Sequence, residues 1–289
     1  MPFSLLQPLS EIPIAFLDVE TTGASADFGH RVTELGIVRM ERGQVVGEYQ
    51  QLIDPQRSIS PGVSALTGIT NEMVAGQPRF CDQLPAALPL LRGAVVVGHN
   101  IRFDLSFLLR EFRRSGSDMA ELLGDVPVLD TVRIARRRFG RGGNGLQRLA
   151  PRLGIAPTGA HRALADAQTT ALVFQRLLEP IGGWNACLCD VMAAQGGPMG
   201  LVPAQSRESQ LPLELEEALQ QKFAVLMEYV DARQQRTQRA IRPLEVRRVA
   251  GELILIAHCE LRNDRRTFKL DRIVGLSRIE PIPVGLEHP

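Results

Sequence analysis

Asp18 and Glu20 end the first β-rich run of the chain, Ile14 to Val19, as a D-x-E pair. Side chains alternate along a strand, so this spacing puts both carboxylates on one face. Two anions so placed repel unless a cation joins them. Alone, such a pair reads far more readily as a solvated strand end than as a site. Two further segments carry acids at similar places. In Gly98-His99-Asn100-Ile101-Arg102-Phe103-Asp104 a buried run ends in polar residues and a helix begins, with Asp104 close to the apolar anchor Phe103. His161-Arg162-Ala163-Leu164-Ala165-Asp166 opens the last long helix, with Asp166 in its first turns and His161 at its entry. Taken singly, Asp104 is an acid favoured by the helix dipole and His161 a cap or surface residue. Taken together, four acids and one histidine lie at the ends of distinct elements, where an α/β sheet gathers its functional groups. Their joint occurrence, in this order, is specific.

The elements that must position these groups follow from periodicity. Arg31 to Met40 and Gln44 to Ile53 read as two strands around a turn at Glu41-Arg42-Gly43, which makes a meander with the first strand. Cys81 to Leu91 reads as a helix interrupted by prolines, and Ala94 to Gly98 as a buried strand. Phe103 to Arg114 reads as an amphipathic helix with Phe103, Phe107, Leu108 and Phe112 on one stripe. A strand at Val126 to Leu129, a helix at Thr131 to Phe139, another after Gly145 and a last one at Arg162 to Leu178 complete an α/β order. Residues 180 to 212 change character: Trp184, Cys187, Leu188, Val191 and Met192 keep helical spacing among Gly and Pro breakers. Beyond them a helix at Leu213 to Gln221 precedes strands at Phe223 to Tyr229, Ala240 to Val249, Leu253 to Leu261 and Arg266 to Leu270. The expected organisation is residues 1–180, a packing helix and linker over 181–210, and a β-rich domain over 211–289.

Through FLDVETTG at 16–23, GHNIRFD at 98–104 and HRALADA at 161–167, the sequence resembles the DEDDh branch of the DnaQ-like 3′→5′ exonucleases over about residues 12–179. The tyrosine branch of that superfamily would need Tyr where this chain has Arg162. The resemblance implies an α/β, ribonuclease H-like mixed sheet with flanking helices. It further implies Asp18, Glu20, Asp104 and Asp166 as ligands of two divalent cations, Mg²⁺ or Mn²⁺, and His161 as general base. In-line hydrolysis of a phosphodiester needs charge neutralised on the attacking and leaving oxygens, which two ions ~3.5–4 Å apart accomplish. Hard cations of this kind suit carboxylates. Thr21, Thr22 and Gly23 form a turn that offers backbone donors and hydroxyls to the terminal nucleotide, with Asn100 and Phe103 beside it. Leu66-Thr67-Gly68-Ile69-Thr70 looks like the family's loop against the terminal bases, with Leu66 or Ile69 as its apolar surface; by composition it is a helix stop at Gly68. Arg136, Arg137, Arg138 and Arg141 suit either a path for phosphates or a helix C-terminus.

Residues 228–280 carry 12 Lys and Arg against 8 Asp and Glu. Residues 211–280 resemble the WYL domain through Tyr229, Arg239, Pro243, Leu255, Cys259, Arg262, Arg266, Phe268, Asp271 and Arg272, although Leu253-Ile254-Leu255 replaces the naming tripeptide. The resemblance implies a small Sm-like β-barrel that takes nucleic acid, a nucleotide or an oligonucleotide effector through Arg239, Arg262, Arg266 and Arg272. An internal arginine network is the other reading.

The chain has 289 residues, 44% hydrophobic and 22% charged, enough apolar material for cores and too little charge for disorder. A net charge of +1 excludes a wholly basic coat, though not a local patch. Cys81, Cys187, Cys189 and Cys259 form no C-x-x-C pair, which fits reduced thiols. Lys222 and Lys269 are the only lysines and neither lies in a G-K-[ST] context, which excludes a P-loop. The expectation is a cytoplasmic enzyme without membrane contact, acting on single-stranded 3′ ends with DNA preferred over RNA. An RNA-processing exonuclease and a catalytically idle nucleic-acid-binding regulator are the alternatives.

Overall fold

A computed structural model of the protein describes residues 3–140, 142–156, 159, 161–202, 211–231, 235–249 and 252–279, without the side chains of Phe28, Leu213, Arg248 and Asp271. Arg141, the linker residues 203–210 and the Asp271 side chain therefore lie outside the described part. The chain forms two compact units, Met1–Leu213 and Glu214–Pro289.

In the first unit, β1 (Ile14–Thr21) pairs antiparallel with β2 (Val32–Glu41), and β2 with β3 (Gln44–Leu52). Arg42 and Gly43, both at positive φ, make the tight β2–β3 turn. Three helices follow: α1 (Pro61–Thr67), α2 (Asn71–Val74) and α3 (Phe80–Leu91). The first two were not expected from periodicity, being too short to show one. Next come β4 (Val95–Gly98), parallel to β1, then α4 (Ile101–Arg114), α5 (Met119–Leu123) and β5 (Val128–Asp130), parallel to β4. The unit continues with α6 (Thr131–Phe139), α7 (Leu146–Arg152), α8 (Ala163–Leu178) and α9 (Leu188–Ala194). The sheet order is β3-β2-β1-β4-β5. Its central strand is apolar on both faces. Ala15, Leu17 and Val19 join one core with α3 and α4 residues, and Ile14 and Phe16 join the other with α6, α7 and α8 residues.

Two details depart from the sequence reading. Pro85 and Pro89 do not interrupt α3, which runs unbroken from Phe80 to Leu91. They stand four residues apart on the exposed side, so the carbonyls they leave unbonded face water, while Phe80, Ala87, Leu88 and Leu91 pack inward. Trp184 and Cys187 precede α9 rather than belonging to it: Trp184 lies in a short 3₁₀ turn and Cys187 is the N-cap.

The entry of α8 is set by Gly36. A Cβ there would lie 2.2 Å from the Ala163 carbonyl carbon and 2.3 Å from the Leu164 nitrogen. Gly36→Ala is expected to push α8 off β2 at a cost of roughly 1–3 kcal/mol, read as a lowered midpoint of chemical denaturation.

The second unit has α10 (Leu213–Gln221), followed by β6 (Val225–Val230), β7 (Arg236–Val249), β8 (Glu252–Cys259), β9 (Asp264–Lys269) and β10 (Ile273–Arg278). All pair antiparallel in the order β10-β6-β7-β8-β9. The last strand was not foreseen, since its partner β6 lies far back in sequence and a bulge between Ile273 and Gly275 breaks its alternation. Among the described residues no helix is long and apolar enough to cross a membrane.

Candidate active site

The alternation that buries Ile14 and Phe16 carries Asp18 and Glu20 onto the α8 side of the sheet at the end of β1. Asp104, in the first turn of α4, is 3% exposed and its Oδ1 accepts the Val19 amide at 3.0 Å, which ties α4 to the same strand end. Asp166, in the first turn of α8, accepts the His161 amide at 3.1 Å and the Gln147 side chain at 2.8 Å. His161 has φ 61°, and this left-handed residue turns the chain into α8. Ligand atoms of Glu20, His161 and Asp166 all lie within 4.8 Å of one another.

The four acids perturb one another. Burial first, then Asp104, Asp166, Glu20 and Glu34 push Asp18 well above the usual carboxylate range. Burial also raises Glu20 strongly, with Asp166, Glu34 and Asp104 adding and Arg162 opposing. Asp104 is raised well by burial, and Asp166, again mainly by burial, to about 6. Burial and all four of these neighbouring carboxylates act on Asp18 in the same direction. A crowd of hard oxygen donors short of positive charge fits divalent cations of the Mg²⁺ or Mn²⁺ kind. Asp18, Glu20, Asp104 and Asp166 are the residues that would hold them, with His161 alongside.

A residue absent from the sequence reading holds this cluster in place. Glu34 stands directly opposite Glu20 across the β1–β2 ladder and is fully buried. Like charges so placed are unfavourable, and Arg162 resolves the conflict with a fork onto both Glu34 oxygens, Nη2 to Oε1 at 2.6 Å and Nε to Oε2 at 3.1 Å. The Ala163 amide adds a bond at 2.9 Å and Gln50 one at 2.8 Å. Burial alone would raise Glu34, yet these bonds outweigh it and hold Glu34 below its ordinary value. The first turn of α8, which carries Asp166, is thereby clamped to the strand beside Glu20. The signal was present: Glu34 is the one charged residue in the apolar run Val32-Thr33-Glu34-Leu35-Gly36-Ile37-Val38.

The remaining candidates divide. The Thr21 hydroxyl donates to the Gly23 carbonyl at 2.8 Å, while the Thr22 hydroxyl accepts the Arg31 amide at 3.0 Å and meets His30 Nδ1 at 3.1 Å. Both hydroxyls, expected to face a nucleotide, therefore build the turn instead. A Cβ on Gly23 would lie 2.3 Å from the His30 ring, which fixes glycine there. Asn100 adopts φ 63° and its backbone N–H donates to Asp130 Oδ1 at 3.1 Å. Phe103 is half-buried, its ring 4.9 Å from that of Phe107. Of the two apolar residues expected near the bases, Leu66 is 40% exposed, whereas Ile69 is fully buried with Ile59, Val63 and Val74. Ile69 is thus core, because Gly68 ends α1 in a left-handed turn that folds it inward. Arg138 donates to the Arg176 carbonyl at 3.1 Å and lies over the Phe139 ring, a helix-end role.

In the second unit Arg239 stands opposite Met227 and Arg266 opposite Ala257, so both share the sheet face of buried apolar residues. Arg239 donates to Thr237 at 3.1 Å, and exposed Arg266 meets Asp264 only at 3.7 Å. Arg262 is exposed in the β8–β9 turn and Arg272 is half-buried before β10.

His99, beside Asn100 at the end of β4, is buried. Its ring bridges the Thr131 hydroxyl and the Asn144 carbonyl, each at 2.8 Å, and burial lowers it to about 4. Its unfolded value is near 6.5, so the unfolded chain takes up the proton first and acidification from about 6.5 to about 4 lowers stability. His30, also lowered to about 4 by burial, acts in the same sense, while the raised carboxylates act in the opposite one. His99→Gln removes this contribution, so the denaturation midpoint should shift less toward instability on acidification over that window than in the wild type.

A family model described as Exonuclease matches residues 15–174, and a WYL domain model matches residues 211–278. The chain is 37% identical over 166 residues, 57% of its length, to the 3′-5′ exonuclease DinG of Bacillus subtilis, of which it covers 17%. It is 36% identical over 163 residues, 56% of its length, to a PolC-type DNA polymerase III of Thermotoga petrophila, of which it covers 12%. The chain therefore spans less than a fifth of these curated relatives. Among solved structures, the nuclease domain of 3′hExo, a DEDDh family member bound to rAMP, aligns with TM-score 0.52 at 17% identity, over 61% of this chain and 96% of that one. Exonuclease I aligns with TM-score 0.54 at 17% identity, over 86% and 55% of the two chains. These likenesses give the first unit a ribonuclease H-like exonuclease fold.

Proposed function

The chain belongs to the exonuclease family whose model matches residues 15–174, and from that premise we propose that it is a divalent-metal-dependent 3′→5′ exonuclease that removes nucleotides from single-stranded DNA ends. The observation that carries this reading is the convergence of four carboxylates and His161 at one strand end, with no acidic position lost. An idle docking module would have no reason to keep so costly a crowd of buried charge. Cations bound by the carboxylates supply neutralisation of charge on the attacking and leaving oxygens. His161, held at the entry of α8, takes the proton of the attacking water. The Thr21–Gly23 turn and the Leu66 surface position the terminal nucleotide, and Asn100 and Phe103 border it. DNA is the proposed substrate in keeping with the DNA polymerase III relatives. Digestion of matched labelled DNA and RNA single strands in Mg²⁺ and in Mn²⁺ tests the choice; faster release from RNA would assign the chain to RNA processing.

The second unit is proposed to be a Sm-like module, since one helix and five antiparallel strands with the last beside the first suit closure into a small barrel. Its arginines, Arg239 and Arg266 foremost, are proposed to receive a nucleic-acid strand or a nucleotide-like effector.

A further inference from the structure

The loop between β1 and β2 is closed on itself: the Thr22 amide donates to the Arg31 carbonyl at 2.8 Å, and the Arg31 amide to the Thr22 hydroxyl at 3.0 Å. Arg31 is thereby fixed across from the turn proposed to receive the terminal nucleotide. Its guanidinium forms a two-pronged pair with Glu111 of α4, Nε to Oε1 at 2.5 Å and Nη2 to Oε2 at 2.8 Å. Glu111 is 2% exposed and reaches Arg114 only at 3.5 Å. Arg57, from the segment before α1, crosses to donate to the Gly29 carbonyl of the same loop. Among the described residues no carboxylate pairs with it. Arg110 takes the loop's Asp27 at 2.5 Å.

Four guanidiniums thus meet at one loop with two carboxylates between them, and Glu111 is already occupied by the Arg31 fork. Arg57 and Arg114 are exposed and keep donors facing solvent. Both are held below their ordinary values, by burial first: Arg114 and Arg31 add to it at Arg57, and Arg31 and Arg110 add to it at Arg114, where Glu111 opposes them. Cations brought together on rigid elements are relieved by an oxyanion between them, and the planar guanidinium matches phosphate with paired hydrogen bonds.

We propose that Arg57 and Arg114, braced by the Arg31–Glu111 pair, form a phosphate-binding rim that grips the backbone of the single-stranded DNA whose 3′ end occupies the carboxylate site. The identity of the strand rests on the exonuclease reading; the anion site rests on the arginines alone. It follows that efficient substrates are longer than a dinucleotide, because a phosphate upstream of the scissile bond must reach the rim.

The test uses the full chain and the double variant Arg57→Gln, Arg114→Gln; Arg114 meets Glu111 at 3.5 Å, and neither residue pairs with Asp18, Glu20, Asp104 or Asp166. Binding of fluorescein-labelled single-stranded DNA is followed by anisotropy in EDTA across a salt series. Cutting of the same strand and of thymidine 5′-p-nitrophenyl phosphate is followed in Mn²⁺. The rim predicts a Kd and a KM for DNA raised roughly tenfold, and a slope of log K against log salt smaller by about 0.7 for each lost phosphate contact. Turnover of the p-nitrophenyl ester and the melting temperature should match the wild type. Unchanged Kd and salt slope would overturn the proposal and leave the arginines as an internal network. An equal loss on the short ester would overturn it as well, by assigning them to the catalytic centre. If the wild type cuts neither substrate yet binds DNA with a salt slope the double variant lacks, the exonuclease reading fails and the rim stands.

Discussion

Asp18→Ala should reduce nucleotide release by on the order of 10³-fold or more, the scale seen when a group stabilising transition-state charge is removed. The fold should survive. In the metal-free protein Asp18 is crowded by Asp104, Asp166, Glu20 and Glu34 in a buried setting, so its ionised form costs stability near neutral pH. Losing that carboxylate relieves the crowd, and the metal-free variant is expected to melt at or above the wild-type temperature. Addition of Mn²⁺ should raise the melting temperature of the wild type and have a much smaller effect on the variant, because binding to the native state stabilises it by mass action. Calorimetry with and without Mn²⁺ reads both effects. A variant that unfolds early would instead mark Asp18 as structural.

His161→Ala should lower the maximal rate by ~10²–10⁴-fold, the usual contribution of a positioned general base. Two features of the site sharpen this prediction. His161 lies within 4.8 Å of Glu20 and Asp166, so it is placed either to take a proton or to ligate a cation. A general base leaves Mn²⁺ affinity nearly intact when removed and takes with it the acidic limb of the pH–rate profile; a ligand would take the affinity as well. His161 also occupies a left-handed backbone with φ 61°, where alanine is disfavoured and asparagine tolerated. His161→Asn therefore serves as a control, and it should fold as the wild type does while sharing the kinetic loss of His161→Ala.

The acids were legible in the sequence because their positions follow local rules. Asp18 and Glu20 obey strand alternation, and Asp104 and Asp166 open helices whose apolar stripes are plain. Glu34 stands out as a lone charge in an apolar run, but its pairing with Arg162 was not legible, since the two lie 128 residues apart and meet only through tertiary folding. Arg31 and Glu111, 80 residues apart, escaped for the same reason. Local rules misled where context overrode them. Pro85 and Pro89 remove hydrogen bonds from α3, but on its exposed side the carbonyls they orphan are solvated and the helix continues. The threonines after Glu20 carry hydroxyls suited to a ligand, yet a tight turn consumes them first. Ile69 looked as available as Leu66 because composition does not tell which way the chain turns after Gly68.

The central claim is that the carboxylate cluster trims nucleic acid from the 3′ end with the aid of divalent cations. A single-stranded DNA labelled at its 5′ end, incubated with the protein in Mg²⁺ or Mn²⁺ and resolved on a sequencing gel, tests it most directly. The account predicts a ladder that shortens from the 3′ end one nucleotide at a time, is abolished by EDTA and is absent with Asp18→Ala. An intact band under all conditions, or a ladder that persists in EDTA, would contradict it.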